Sequence, residues 1–597
     1  MKNLNLIAPY FRRSVFAIAV GFCCLSVCDL GQMYIPRLVG RIIDALSEAA
    51  PSKGLILKFI AIILGVALMV ALLRYAWRTL IYGFSRKLEK DLRFRLHSHF
   101  VSLSLSWHNV NSSGDLMALA TNDIESVRVA VGFGLVSLMD AIVLGVAAVL
   151  FMLSINVSLC FWAFLPLPLI SVLTAIFGRR IFQRVLDAQN YFAELTEVTR
   201  EHVSGFKVIR AMALEELARG EVRGRSLNYV KKNVHLSWVM GLFFPLLNLL
   251  TNLAIALTLF FGGRAVIAGE ISPGDFVAFI SYLGLLAWPL MAMGLTIGLL
   301  QQGLASLARL ARVLSARESS PRPLSGGPAR AASSPGGPLR VSLQNVDFIY
   351  PGRVIPALRD VTLELCPGAV TALTGPTGSG KSTLAALLPA LYEPAAGSVR
   401  LNGVDSREYS LEAVRSFFGY VPQDGYVFSG TILENVRFGA PGATEEEALR
   451  VLALAALKMD RDVFPDGLHT RVGEKGLTLS GGQKQRLALA RALLIDPPYL
   501  ILDDTLSAVD AQVEEEILNN IARERAGRGA LIISHRLTSL AKAQIFFVLE
   551  EGRLTAQGTF AELARQEGYF KRIAEIAFLG ERGAEKRKSI FGAGEKA

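Results

Sequence analysis

Cysteine is scarce in this chain, with five residues in 597. Cys23, Cys24, Cys28, Cys160 and Cys366 are scattered, three of them inside the first apolar segment. That excludes a disulfide framework and a thiolate metal site, and fits small buried hydrophobes in a reduced or lipid setting. A basic stripe with interleaved aromatics is also missing, so the formal net charge of +11 does not read as a nucleic-acid surface. Charge of either sign is absent from long stretches: residues 141–178, 236–263 and 276–308 contain no Asp, Glu, Lys or Arg. The mean hydropathy of +0.41 is high for a soluble protein, and the apolar excess is confined to residues 14–310. Residues 341–580 have the composition of a soluble α/β domain. The chain is too long for one compact domain. One part therefore lies in a membrane and one in water.

A membrane helix needs about 20 mostly apolar residues. Six spans are expected, at about 14–36, 57–82, 129–155, 158–180, 236–264 and 274–303, with Asn156 and Ser158 marking a turn inside the third run. The apolar part of MKNLNLIAPYFRRSVFAIAVGF continues to Tyr34 with no convincing cleavage site, so it is expected to be a retained first span. Arg12 and Arg13, the segment RKLEKDLRFR at 86–95, and Arg179, Arg180, Arg184, Lys207, Arg210, Lys231 and Lys232 flank alternate ends of the spans. By the positive-inside rule both termini should be cytoplasmic. The connections 83–128 and 181–235 are rich in helix formers, and their tips, 111–123 and 196–205, are expected to meet the soluble domain. Residues 315–339 are rich in Ser, Pro, Gly and Ala and read as a linker. The expected domains are thus 1–314 in the membrane, 340–578 binding nucleotide, and a disordered tail at 579–597.

GPTGSGKS, Gly375–Ser382, fits the phosphate-loop pattern G-x-x-x-x-G-K-[ST]. An apolar strand, AVTALT, precedes it and a helical stretch, STLAALLPAL, follows. The glycines let backbone N–H groups close on phosphate oxygens, and the helix N-terminus adds positive potential. Lys381 should reach the β- and γ-phosphates, and Ser382 should coordinate Mg²⁺. Gly375, Pro376, Thr377, Gly378, Ser379, Gly380 and Thr383 complete the expected ATP-binding set. YLILDD, 499–504, is a buried strand that ends on Asp503, placed to hold the Mg²⁺ shell.

LSGGQ, Leu479–Gln483, lies between these two motifs. In that order the three resemble the ATP-binding cassette. One membrane half followed by one cassette resembles a type IV ABC exporter half-transporter over about residues 5–578. The resemblance implies a multidomain fold: an all-α six-helix transmembrane domain, then an α/β P-loop cassette domain. It implies ATP and Mg²⁺ as ligands, Tyr350 stacked on adenine, and Gln423 on Mg²⁺ and the attacking water. It implies His535 on the γ-phosphate, Asp510 in the loop that crosses to an opposing subunit, and Glu474 in the loop that touches the membrane domain. Ser480, Gly481, Gly482 and Gln483 would face the ATP of a paired chain.

Asp504 departs from the family pattern, where a glutamate follows the Mg²⁺-binding aspartate and polarises the attacking water. Aspartate keeps the charge, but its carboxylate reaches roughly 1.5 Å less far, and a misplacement of that order costs about 100-fold in rate. Asp504, His535 and Gln423 are the expected catalytic residues, with weak hydrolysis at this chain's own phosphate loop. A short acid beside an intact LSGGQ is the combination expected of the chain that lends its signature to a partner's glutamate, and LDDTLSAVD at 502–510, with GDLMALATND at 114–123, most resembles the MdlA-type subunits of heterodimeric bacterial multidrug-resistance-like exporters. That resemblance implies a second, different half-transporter that carries the glutamate. Two alternatives stay open: a homodimeric lipid or drug flippase, and an ATP-gated channel or regulatory subunit.

Polar residues at membrane depth are the local clues to cargo. Arg74, Asp140, Asn248 and Asn252 are expected to line a substrate cavity, and Arg74 is placed to pair with Asp29 or Asp140. The family implies a hydrophobic or amphipathic substrate and contact with lipids of the bacterial inner membrane.

Overall fold

The structure, a computed structural model, describes residues 2–48, 53–316, 339–473, 479–536, 540 and 543–576. The chain divides into two compact units, Met1–Phe100 with Gly114–Ala316, and Val101–Ser113 with Arg317–Ala597.

The first unit is helical. In chain order the helices are α1 (Val15–Ser47), α2 (Lys53–Ser102), the short α3 (Leu105–Val110), which falls to the second unit, and the long stretch α4 (Ser113–Ile155). They continue with α5 (Val157–Phe164), α6 (Leu167–Ser204), α7 (Phe206–Ala211), α8 (Glu215–Ile267) and α9 (Pro273–Leu314). Four helices among the described residues, α1, α2, α4 and α8, are long and apolar enough to cross a membrane. In α9 the apolar stretch so described is Pro273–Leu286.

The helices run well past the apolar windows: α2 has 50 residues and α8 has 53. The turn expected at Asn156 is present, with Asn156 Oδ1 accepting the Leu159 N–H at 2.9 Å. The next span, read from the sequence as one helix, is two. A turn at Leu165 and Pro166 separates α5 from α6. Proline has no N–H to give and crowds the preceding turn, and an apolar window does not register that.

Helices α1, α4 and α9 pack together, while α8 packs on α6 and α5. Tyr282 and Phe279 of α9, Met33 of α1, and Met152 and Leu144 of α4 share one core. The buried Tyr282 hydroxyl donates to the Met33 carbonyl at 2.8 Å. At the start of α9, Asp44 accepts from Ser272 Oγ at 2.8 Å and from Gly274 N–H at 2.7 Å. A Cβ on Gly274 would lie 2.0 Å from the Gly40 carbonyl, so only glycine permits this approach.

The second unit holds two main sheets. Strands β1 (Val341–Phe348), β2 (Leu358–Leu365), β4 (Ala396–Leu401) and β5 (Val404–Asp405) form an antiparallel sheet in the order β2-β1-β4-β5. The second sheet is built from β3 (Val370–Thr374), β6 (Phe418–Val421), β9 (Tyr499–Asp503), β10 (Gly529–Ile533), β11 (Ile545–Glu550) and β12 (Arg553–Gly558). Its six strands run in the order β12-β11-β3-β10-β9-β6. Only the β11–β12 pair is antiparallel. A small ladder joins β7 (Gly430–Thr431) to β8 (Arg471–Val472).

All five residues of β9 and all five of β10 are buried. Strands covered on both faces read as unbroken apolar runs, as YLIL and ALII do. The helices that matter here are α10 (Lys381–Leu387), α11 (Gly481–Leu494) and α12 (Ala511–Glu524).

The segment 101–113 belongs to the second unit. Asn109 of α3 donates to the Tyr392 hydroxyl at 2.7 Å. The first tip that meets the soluble domain is therefore 105–110, upstream of the 111–123 expected from the sequence. Glu474, most of the expected linker (317–338) and the expected tail lie outside the described residues.

Candidate functional site: a phosphate loop at one sheet edge

Four adjacent parallel strands, β3, β10, β9 and β6, end at the same sheet edge. Each delivers a loop there: Gly375–Ser382 after β3, Ser534–Arg536 after β10, Asp504 after β9, and Pro422–Asp424 after β6. The carboxyl edge of a parallel sheet is where such folds place their ligands. A cavity of about 370 Å³ opens there, lined by Tyr350, Thr377, Gly378, Gly380, Lys381, Ser382, Thr383, Gln423, Asp503, Asp504 and His535.

The loop's shape depends on its glycines. Gly375, Gly378 and Gly380 have φ of 152°, 80° and 100°. A Cβ on Gly380 would meet the Ala357 carbonyl at 2.5 Å, and one on Gly375 the Leu549 carbonyl at 2.0 Å. Lys381 Nζ donates to the carbonyls of Gly375 at 2.9 Å and Pro376 at 2.7 Å, and to Ser379 Oγ at 3.4 Å. Burial pulls the Lys381 ammonium below its ordinary pKa, against the opposing pull of Asp503 and Asp504.

Asp503 is held at both oxygens. Ser382 Oγ donates to Oδ1 at 2.8 Å, and Tyr420 Oη donates to Oδ2 at 3.2 Å. Burial raises its pKa; the Ser382 and Tyr420 bonds lower it, Asp504 raises it further, and Lys381 opposes. The hydroxyl of Ser382, the Asp503 carboxylate and the Gln423 amide oxygen are hard donors in one cavity. That donor set suits Mg²⁺, which takes few protein oxygens and completes its shell with water and substrate phosphates.

Asp504 stands at φ 46°, in the left-handed region. Aspartate and asparagine are among the non-glycine residues best tolerated there. Its N–H donates to the Ile533 carbonyl at 2.9 Å, and its Oδ2 accepts from Gln423 Nε2 at 3.3 Å. Burial raises the Asp504 pKa, with His535, Arg536 and Lys381 opposing. His535 is lowered by burial and by Lys381, with Asp504 opposing. Neutral imidazole is therefore favoured at pH 7, free to donate or accept.

Tyr350 lines the cavity edge. Its ring meets Phe348 edge-on at 4.9 Å and Tyr392 at 5.5 Å, and its hydroxyl lies 2.9 Å from Thr383 Oγ1. Ser480 opens α11, and a reciprocal capping box closes that end: Gln483 N–H donates to Ser480 Oγ, and Ser480 N–H donates to Gln483 Oε1 at 2.8 Å. Ser480, Gly481, Gly482 and Gln483 are not among the residues that line the cavity. A Cβ on Gly482 would lie 2.8 Å from the Ala508 carbonyl, which requires the small residue. Asp510 precedes α12 and is exposed, with no side-chain bond to the helix N-terminus.

The expected substrate residues, with Asp29, come from four helices. Asp29, Arg74 and Asp140 come from α1, α2 and α4, where the Asp29 carboxyl lies against Asp140 with Arg74 in electrostatic reach. Asn248 and Asn252 are on α8, which packs mainly on α6 and α5 and also meets α9, with Ala254 in the core shared by α1, α4 and α9. A separate cavity of about 690 Å³ between α6 and α8 is lined by Phe177, Arg180, Val234, Ser237, Trp238, Val239, Gly241 and Leu242.

Sequence reasoning missed Tyr420, Gln485 and Arg536. Tyr420 carried a faint signal, lying three residues before Gln423 on the strand that neighbours β9.

Residues 18–290 match the model of the ABC transporter transmembrane region, and residues 358–507 match that of the ABC transporter domain. The chain is 34% identical over 569 residues to a probable multidrug resistance ABC transporter ATP-binding/permease protein, YheI, of Bacillus subtilis, covering 95% of this chain and 96% of that one. It is 33% identical over 573 residues to the multidrug resistance-like ATP-binding protein MdlA of Escherichia coli, covering 96% of each. It is 30% identical over 592 residues to an ATP-dependent lipid A-core flippase of Thiobacillus denitrificans, covering 97% of this chain and 98% of that one. The solved structure of a bacterial Atm1-family ABC exporter with ATP bound superposes with a TM-score of 0.74 at 24% identity, covering 95% of this chain and 98% of that one, and so shares the fold. With a helical membrane region ahead of a cassette that carries this cavity, the chain belongs to the ABC transporter family.

Proposed function

We propose that this chain is one half of an ATP-driven exporter of amphipathic compounds, drugs or lipids, in the bacterial inner membrane. It pairs with a second, different half-transporter. Both termini face the cytoplasm, as the basic flanks of the spans require. The relatives named for multidrug resistance and for lipid A-core flipping support the substrate class.

In this reading, backbone N–H groups of Gly378–Ser382 and the α10 N-terminus hold the phosphates, Lys381 neutralises them, and Tyr350 stacks on the base. Ser382 and Gln423 would hold Mg²⁺ directly and Asp503 through water, and the ion would supply charge neutralisation at the β- and γ-phosphates. His535 donates to the γ-phosphate. Asp504 accepts the proton of the attacking water, and Gln423 orients both. Ser480 to Gln483 and Asp510 complete the nucleotide site of the paired chain.

The observation that carries the asymmetric reading is Asp504 itself. A strand of fixed register sets its Cα, and the left-handed turn fixes its direction. The shorter carboxylate cannot recover the reach of a glutamate by sliding. Weak turnover at this loop follows, with full turnover where this chain's LSGGQ meets a partner's glutamate. The homodimeric reading is favoured by one observation: Gln423 is already bonded to Asp504, and His535 lines the same cavity.

The test is steady-state ATPase turnover of this chain alone in lipid nanodiscs. Near-zero turnover with intact ATP binding is expected. Vanadate-sensitive turnover on the order of 1 per second or above, ordinary for enzymes, would establish the homodimer and defeat the asymmetric reading.

A further inference from the structure

The loop between β9 and α12 is held from two directions by side chains outside the nucleotide cavity. Arg536 follows His535 directly. Its Nη2 donates to the Ser507 carbonyl at 2.9 Å. Its Nη1 donates to the Val509 carbonyl at 3.0 Å and to Glu514 Oε2 at 3.0 Å. Glu514 lies in the first turn of α12 and is buried at 3% exposure. A planar guanidinium can bridge two carbonyls and a carboxylate at once; an ammonium on a flexible stem lacks that fork.

Gln485, on α11, forms the second strut. Its Oε1 accepts the Ala508 N–H at 3.1 Å. Its Nε2 reaches Ser507 Oγ at 3.3 Å and the Gln423 carbonyl at 3.4 Å. Positions 507–509 are therefore pinned by the residue after His535 and by a residue bonded to the backbone of Gln423. Both His535 and Gln423 line the cavity. Asp510, next along, is exposed and spends no bond on capping α12, although aspartate is a preferred cap.

We infer that Arg536 is a positioning residue that ties the 507–510 loop to the occupancy of this chain's own nucleotide cavity. When phosphate engages His535, the next residue moves with it. Arg536 then carries the two carbonyls and the start of α12 along, and so sets how Asp510 is presented to the paired chain. Gln485 transmits movement of Gln423 to the same loop. The link runs within one chain. It rests on the reading that the cavity takes ATP and that Asp510 serves a second chain.

Hydrogen–deuterium exchange on the full-length chain in nanodiscs tests it, with Mg²⁺ and ATPγS as the probe. In the wild type, nucleotide should slow exchange in 375–383 and also in 505–512. Arg536→Lys keeps a positive charge beside the buried Glu514 but loses the fork. It should keep the slowing at 375–383 within about twofold, and the response at 505–512 should disappear. Rescue of charge without rescue of the response separates positioning from a merely structural role. Gln485→Leu cuts the other strut and should blunt the same response, which serves if Arg536→Lys does not purify.

An undiminished loop response in these variants overturns the inference, as does a wild type whose loop ignores nucleotide. No slowing at 375–383 in the wild type would defeat the ATP-site reading and the inference with it.

Discussion

Gln423 Nε2 donates to Asp504 Oδ2 at 3.3 Å, so the loop after β6 is joined to the acid after β9 at the floor of the nucleotide cavity. The bond shows where the Asp504 carboxylate ends, one methylene short of a glutamate's. Asp504→Glu should therefore raise turnover at this site by up to about 100-fold, the scale of a misplacement near 1 Å, provided the opposing signature is intact. A glutamate is less at home at φ 46°, so the thermal midpoint should fall slightly. The measurement is ATPase turnover beside differential scanning fluorimetry; no gain opposite an intact signature would mean that another feature limits the site.

The same pair of acids sets a pH dependence. Burial raises the pKa of both Asp503 and Asp504. Each binds its proton more tightly folded than unfolded. Their contribution to stability is fully present below the unfolded carboxylate pKa and is lost as pH rises through the folded values. Asp504→Asn removes one such group. Without nucleotide, the variant should unfold at a higher temperature than the wild type at pH 7, with the difference shrinking toward pH 4. A wild type more stable than the variant at pH 7 would refute this.

Tyr350 lines the cavity with its ring braced by Phe348 and Tyr392. Base–aromatic stacking is worth about 1–3 kcal/mol. Tyr350→Ala should weaken ATP binding by roughly 10- to 100-fold, and GTP binding equally, because stacking does not read the base edge. Tyr350→Trp should retain both affinities. Fluorescent-nucleotide titration decides, and a loss for ATP alone would point to edge recognition instead.

Much of this site is legible in the sequence itself. The phosphate loop, Asp503 and LSGGQ are local patterns, and their flanking apolar runs already give strand, loop and helix in order. What is not legible depends on neighbours far apart along the chain. Tyr420 reaches Asp503 only because β6 lies parallel to β9 in one particular register. Gln485 and Arg536 meet the 507–509 loop from different elements. In the membrane unit, apolar windows locate spans but do not assign helix faces. Asn248 and Asn252 thus read as companions of Arg74 and Asp140, although α8 packs chiefly on α6 and α5 and meets α9 more lightly. The break at Pro166 is hidden for the same reason: hydropathy averages over the residue that interrupts the helix.

Asp29 is 2% exposed, and its Oδ2 has no hydrogen-bond partner among the described residues. Its carboxyl lies against that of Asp140. Asn at position 29 would keep the shape of the carboxyl and offer an N–H to Asp140. Leaving a buried polar group unsatisfied costs about 1–3 kcal/mol, so Asp29→Asn should stabilise the membrane unit by up to that amount. Asp140→Asn should do so less, since Asp140 is the more exposed partner. If either variant alters drug resistance while assembly is unchanged, the pair contacts cargo; if only assembly responds, it is a helix-packing pair.

Ser480 separates the two dimer readings. In this chain it caps α11, and Ser480→Ala should cost about 1 kcal/mol of helix stability. It does not line this chain's own cavity, so ATP affinity at Lys381 should be unchanged. In an asymmetric pair the competent site uses this chain's signature, so Ser480→Ala should cut turnover of the complex by at least about tenfold, the effect of losing about 1.4 kcal/mol of transition-state stabilisation. Lys381→Met in the same chain disables only the weak site, and most turnover should survive. In a homodimer every site contains both residues, and the two variants should be equally damaging. The ratio of the two losses therefore reports the symmetry of the assembly.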